Sequence, residues 1–260
     1  MKIIPKAPIG AEVEDFLIKN TSSDEAKQLK QLLAKHGVLI FRNQFCSDGV
    51  FVDFLEKMGP LTFTVGETPV EGHADLNVVS NVGRKTKPVS CFHIDSSYFK
   101  APPAYSALRA VTLPPMGGET LFTNQYWAFE TLPKSVKNQL LGRTLHHVVT
   151  RLNLSDHQDA ETEAHHPVFK EHPISQKTAL YLSTPQRCVA ASGLSDELAQ
   201  ELITACYEHS IQPENIYRHQ WQAGDVVIWD NGCTLHRADH SQVNGNRVLH
   251  RGLSLGYNYN

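Results

Sequence analysis

Apolar residues fall at helical spacing between Ser23 and His36, at Ala26, Leu29, Leu32 and Leu33, with Ser22, Ser23 or Asp24 placed to cap the start. Gly37 ends that run, and the unbroken Val38-Leu39-Ile40-Phe41 behind it predicts a buried strand. A second short helix is expected over 49–58, ahead of Gly59-Pro60. The period then changes. Strand-like runs at 76–80, 104–113, 119–123, 179–182, 225–230 and 248–255 are separated by turn chemistry such as Pro114-Pro115-Met116-Gly117-Gly118. Helical spacing returns over 185–212, where Leu198, Leu202, Ile203 and Cys206 share a face after a Ser195 cap. Residues 152–177 are polar, carry His157, His165, His166 and His172, and read as a long loop or insertion of the kind that forms a lid. The pattern predicts a mainly β protein with peripheral α-helices, and with no repeat or linker-like stretch it predicts one domain over 1–260.

Composition removes several functions. A net charge of −3 over 260 residues offers no global positive field, so nucleic acid is not expected as a partner. No run reaches the roughly 18 apolar residues of a spanning helix, and residues 1–6 precede no apolar leader, so no membrane partner is expected and a cytoplasmic location is. Five cysteines, Cys46, Cys91, Cys188, Cys206 and Cys233, make an odd set without repeated spacing, which suits a reducing compartment. The unusual count is 14 histidines, the side chain that most often ligates transition metals or moves protons near neutral pH.

Phe92-His93-Ile94-Asp95 is the sharpest local signal. On a strand, residues two apart share a face, so His93 and Asp95 would present an imidazole and a carboxylate side by side. A third ligand must come from far along the chain, and His236 after Trp229-Asp230-Asn231 is the candidate. Two histidines and a carboxylate on one face of an ion leave positions open, as in non-haem Fe(II) oxygenases. His236 and His240 are alternatively spaced as an i, i+4 zinc pair on a helix, though no Glu follows the first His. Downstream, Arg247 and Arg251 alternate onto one strand face roughly 13 Å apart, enough for two separate carboxylate receptors. The plainer reading is that both are solvated strand residues. Adjacent histidines such as His146-His147 and His165-His166 point to opposite strand faces and do not suggest a second metal site.

Taken together, His93-x-Asp95, Gly117-Gly118-Glu119-Thr120-Leu121-Phe122, Trp229-Asp230-Asn231 with His236, and Arg247 with Arg251 resemble the motif series of the taurine/aryloxyacetate dioxygenases, which depend on iron(II) and 2-oxoglutarate. The likeness runs through the chain, from Ile9-Gly10-Ala11-Glu12-Val13 to His166-Pro167-Val168 and Leu180-Tyr181. It implies a double-stranded β-helix (a cupin-like jelly roll), with Fe(II) held by His93, Asp95 and His236. It implies further that Thr120 and Arg247 receive the distal carboxylate of 2-oxoglutarate, that Arg251 faces a small acidic substrate, and that O2 is the oxidant. Tyr98, three residues after Asp95, is the aromatic placed for a polar substrate contact, although packing is the simpler role for it.

The activity so implied is hydroxylation of a small acid with release of succinate and CO2. Asp95 argues against halogenation, since related halogenases carry a small residue there. Phe92 stands where many members have Trp, Ser96-Ser97-Tyr98 resembles the aryloxyacetate branch, and Ser183-Thr184-Pro185-Gln186-Arg187 resembles members that oxidise biosynthetic intermediates. Desaturation or isocyanide-type oxidation of an amino-acid derivative is therefore the alternative on the same site. From other classes, a non-catalytic metal-binding jelly-roll module and a zinc hydrolase compete, and a homo-oligomer is compatible with all of them.

Overall fold

The computed structural model describes residues 1–84, 90–150 and 160–256. Its frame is a nine-stranded sheet ordered Lys2–Pro5, Ala11–Glu14, Val38–Phe41, Val226–Asp230, Tyr105–Thr112, Val248–Ser254, His73–Ser80, Pro69–Val70, with Leu61–Thr62 also pairing Val248–Ser254. Every pairing is antiparallel except that of Ala11–Glu14 with Val38–Phe41. A three-stranded sheet, Ile216–His219, Thr120–Asn124 and Thr234–Ala238, faces it.

Alternation within single strands shows how the layers stack. Leu39, Phe41, Val226 and Ile228 point to one face of the large sheet, where they meet Leu29 and Leu33 of helix α1 (Ser23–His36) and Phe51, Phe54 and Leu55 of helix α2 (Asp48–Met58). Val38, Ile40, Val227 and Trp229 point to the other, where they meet Phe122 of the small sheet. Both faces are covered, which is why Val38–Phe41 reads as an unbroken apolar run and not as an alternating one. Two facing, almost wholly antiparallel sheets with helices outside make a mainly β, jelly-roll architecture.

Helix α1 begins at a capping box, with the Ser22 side chain accepting from Glu25 N and the Glu25 carboxylate accepting from Ser22 N, and Gly37 stops it at φ 71. Helices α3 (Gln125–Thr131), α4 (Lys134–Leu140) and α5 (Asp196–Ser210) pack a separate cluster against the sheet Glu163–Pro167, Thr144–Val148, Cys188–Ala191. None of the helices among the described residues is long and apolar enough to cross a membrane.

Two sequence expectations change here. Helical spacing over 185–212 holds only from the Ser195 cap onward, because Cys188–Ala191 is a strand edge-paired to Thr144–Val148. The loop expected over 152–177 contains the strands Glu163–Pro167 and Phe169–Glu171, the first exposing Glu163 and His165 on one face while Ala164 and His166 are buried on the other; its first part, His157 included, lies outside the described residues.

Candidate active site

His93 is not on a strand. It forms an isolated antiparallel bridge to His236, each backbone N–H donating to the other's carbonyl at 3.0 Å. That bridge, made between Thr234–Ala238 and an otherwise irregular segment, sets the two imidazoles 4.3 Å apart between ring centroids. The chain then turns at Ser96, which adopts a left-handed φ of 45, and Asp95 is left facing both rings. Its Oδ1 lies 3.7 Å from His93 Nε2 and its Oδ2 3.6 Å from His236 Nε2. His93 Nδ1 meets the Cys91 carbonyl at 2.8 Å; a carbonyl only accepts, so Nδ1–H donates there and the ring is oriented with Nε2 towards Asp95.

The carboxylate is held from behind. Ser106 Oγ donates to Asp95 Oδ2 at 2.7 Å and itself accepts from Asn231 Nδ2 at 2.8 Å, while Arg251 Nη1 donates to Oδ1 at 2.9 Å. Burial alone would raise the Asp95 carboxyl, but the Arg251 guanidinium leads the charges that outweigh it and hold it well below the usual carboxylate range. Burial pushes His236 down to about 3 against the pull of Asp95, so this imidazole is neutral. One carboxylate and two imidazoles whose donor atoms lie within 4.8 Å of one another suit a divalent transition metal, and Asp95 and His236 are in the protonation states that ligate.

A cavity of about 110 Å³ opens beside them, with His93, His236, Trp229, Thr120, Arg247 and Arg251 in its wall. A buried positive charge also lines it. Arg247 is 1% exposed, and its Nε donates to the Gly118 carbonyl at 2.8 Å and its Nη2 to Thr120 Oγ1 at 3.3 Å. Burial pushes Arg247 down to about 10, which still leaves it protonated. Thr120 Oγ1 also accepts from Trp221 Nε1 at 3.0 Å. A hydroxyl accepts two bonds and donates one, so the Thr120 proton is left for a further acceptor.

The structure brings together groups that the sequence paired: His93, Asp95 and His236 converge, and Thr120, Arg247 and Arg251 line the same cavity. Two expectations are corrected, and a third gains detail. The detail concerns Arg251, which lines the cavity while its Nε, Nη1 and Nη2 donate to Asn77 Oδ1, Asp95 Oδ1 and Glu67 Oε1. Tyr98 is not in the cavity wall; it is buried edge-on to Phe99 with the Arg187 guanidinium 5.4 Å from its ring centre. His236 and His240 cannot form a helical zinc pair, since His236 lies on a strand, where four residues span roughly 13 Å.

A second buried group, His172, Asp230 and Cys233, also brings its donor atoms within 4.8 Å of one another. His172 Nδ1 accepts from Ile174 N and Ser175 N, so its Nε2–H donates to Asp230 Oδ2 at 3.0 Å, and Asp230 Oδ1 accepts from Gly232 N. With both ring nitrogens engaged, this set anchors the turn that leads into the His236 strand. Ser106, Trp221, Asn77 and Glu67 were missed from sequence; only Ser106, a hydroxyl inside a buried strand run, carried a signal that could have found it.

Fold and site together define a jelly-roll protein with a two-histidine, one-carboxylate centre and an arginine-threonine seat across a small cavity. The chain belongs to the taurine catabolism dioxygenase TauD, TfdA family, whose profile matches residues 2–253. It is 30% identical to the alpha-ketoglutarate-dependent 2,4-dichlorophenoxyacetate dioxygenase of Cupriavidus pinatubonensis, covering 94% of each chain. It is 28% identical to the alpha-ketoglutarate-dependent sulfate ester dioxygenase of Pseudomonas putida, over 95% of this chain and 87% of that one. Among solved structures, a taurine dioxygenase from Burkholderia xenovorans superposes with a TM-score of 0.83 at 29% identity, over 97% of this chain and 90% of the other.

Proposed function

We propose that the protein is an Fe(II)- and 2-oxoglutarate-dependent oxygenase that hydroxylates a small acidic organic substrate and releases succinate and CO2. The observation that carries this reading is the pairing, across one cavity, of a three-ligand metal seat with a buried anion seat. A bare metal module has no use for the second. The relatives support the class, being alpha-ketoglutarate-dependent enzymes named for aryloxyacetate, sulfate ester and taurine.

In this reading His93, Asp95 and His236 hold Fe(II), and their side-by-side arrangement leaves positions for the co-substrate and O2. Iron in that seat supplies the redox chemistry that couples loss of CO2 from 2-oxoglutarate to oxidation of a C–H bond. Arg247 and Thr120 fix the distal carboxylate of 2-oxoglutarate, the arginine by charge and the threonine by the proton its two accepted bonds leave over. Val79, Leu108 and the Trp229 ring make the apolar part of the wall and limit water around the reacting groups. Ser106 and Asn231 keep the Asp95 carboxylate in one orientation.

The test is an anaerobic titration of metal-free protein with Fe(II) and 2-oxoglutarate, following the weak visible charge-transfer band of the chelate. A band that saturates in the wild type and is missing in His93→Ala supports the reading. A folded, iron-loaded wild type with no band overturns it, and activity with zinc in the absence of 2-oxoglutarate would replace it by a hydrolase.

A further inference from the structure

We propose that the outer face of the sheet Glu163–Pro167, Thr144–Val148, Cys188–Ala191 carries a second metal site, in which His146, His165 and Glu163 take a late first-row divalent ion such as Zn(II) or Cu(II). Neighbouring histidines on one strand part to opposite faces, and that alternation is present: His147 and His166 are buried, while His146 and His165 turn outward. Antiparallel pairing then undoes the separation. His165 lies directly opposite His146 in the register, so one histidine from each strand meets the other across the pair. Their rings lie 4.4 Å apart between centroids and 11° from parallel. Glu163, two residues before His165 and on the same face, brings its Oε2 to 2.9 Å from His146 Nε2.

The spacing is that of a chelate. Two ligands bound to a tetrahedral ion at about 2.0–2.1 Å stand roughly 3.3 Å apart, so His146 Nε2 and Glu163 Oε2 hold one between them after opening by about 0.4 Å. The His165 ring reaches the same ion by turning about its outer side-chain torsion, which is broad for histidine. The side chains of His146 and Glu163 are 24% and 63% exposed, so a hydrated ion arrives directly from solvent and keeps water in the remaining position. Two imidazoles and one carboxylate suit zinc and copper, whereas magnesium and calcium favour shells of oxygen alone. The site shares no residue with the seat formed by His93, Asp95 and His236. An ion there ties together two strands whose buried face supports that seat, because His166 donates to the Phe99 carbonyl and Phe99 N closes a turn on Ser96 O, next to Asp95.

The experiment counts Zn(II) bound to metal-free protein by equilibrium dialysis. We expect the wild type to hold two ions, His93→Ala to keep the one on the sheet face, and His146→Gln to keep the one in the Asp95 seat. His165→Gln should weaken the sheet-face ion at least about tenfold, and Glu163→Gln, at a more exposed ligand, about three- to tenfold. His209→Gln removes a histidine stacked on Trp127 of helix α3 and should leave both ions in place. A spectrum supplies what a merely structural effect cannot. In a His93→Ala background with the exposed Cys91 replaced by serine, so that its thiol does not reduce the metal, Cu(II) should show paramagnetic hyperfine structure from two nitrogens, and from one after His165→Gln. A wild type that holds a single ion, a sheet-face ion whose affinity is unchanged in His146→Gln and His165→Gln, its loss in His209→Gln, or a copper spectrum without two nitrogens would each overturn the proposal.

Discussion

Thr120 owns a single hydroxyl proton, and the two bonds its oxygen accepts, from Trp221 Nε1 and Arg247 Nη2, decide where that proton goes. Trp221→Phe keeps the ring packed against His219 but frees the oxygen to swing. We expect it to weaken 2-oxoglutarate binding about three- to tenfold, as one neutral hydrogen bond is worth, with Fe(II) affinity unchanged. Thr120→Val should do the same, and the double variant should add little to either, a non-additivity that calorimetry reads directly. The two arginines separate in a similar way. Arg247→Ala should raise the 2-oxoglutarate requirement by about a hundredfold, on the scale of a buried charge-assisted pair, while Arg251→Ala should chiefly uncouple succinate release from substrate oxidation. Equal effects of both on the 2-oxoglutarate requirement would contradict the assignment. Motif order made His93, Asp95, His236 and the two arginines legible in the sequence, whereas strand alternation did not, since His93 lies on no strand and Arg247 just before one. Trp221 and Glu67 were not legible, because each acts through a partner brought near by folding alone, Glu67 onto Arg251 across 184 positions.

At the scale of elements, the residues that stop and start the chain were the most readable. Ser22 and Gly37 bound α1, Ser195 caps α5 by accepting from Leu198 N, and the Gly117-Gly118 turn leads into the Thr120–Asn124 strand. Elements went unread where pairing overrides local pattern. Cys188–Ala191 borrows its extended form from Thr144–Val148, and His93 takes its position from two bonds to His236. The double-glycine turn joins fold to site, since the Gly118 carbonyl holds Arg247. Gly117 has φ 75, and a Cβ there would lie 2.6 Å from the Gln242 backbone. Gly117→Ala should therefore destabilise the protein by about 2 kcal/mol, through left-handed strain and a clash with main chain. At Gly118 a Cβ would meet Arg247 Cδ at 2.9 Å, so Gly118→Ala should shift the anion seat and weaken 2-oxoglutarate binding beyond any loss of stability. Denaturant midpoints set against 2-oxoglutarate affinities distinguish the two variants.

Across the whole molecule, the abundance of histidine that drew attention to metal chemistry divides between the site and the fold. His147 and His166 belong to the fold: they meet edge to face at 5.2 Å against Tyr181, and His166 Nε2 donates to the Phe99 carbonyl. Burial pushes His147 down to about 3 and His166 down to about 4, with neighbouring positive charge adding to the effect. Both rings are therefore neutral in the folded protein where an unfolded chain, with histidine near 6.5, takes up protons. The sign follows. Below about pH 6.5 the unfolded state binds more protons than the native state, so stability is full above that value and falls as pH drops towards 4 and then 3. Each group contributes at most about 1.4 kcal/mol per pH unit inside its window. Metal-free protein should lose melting temperature steadily between pH 6.5 and 4.5, and His147→Gln should flatten that slope whatever it does to stability at pH 8. An unchanged slope in the variant would show that the acid sensitivity arises elsewhere than in this buried pair.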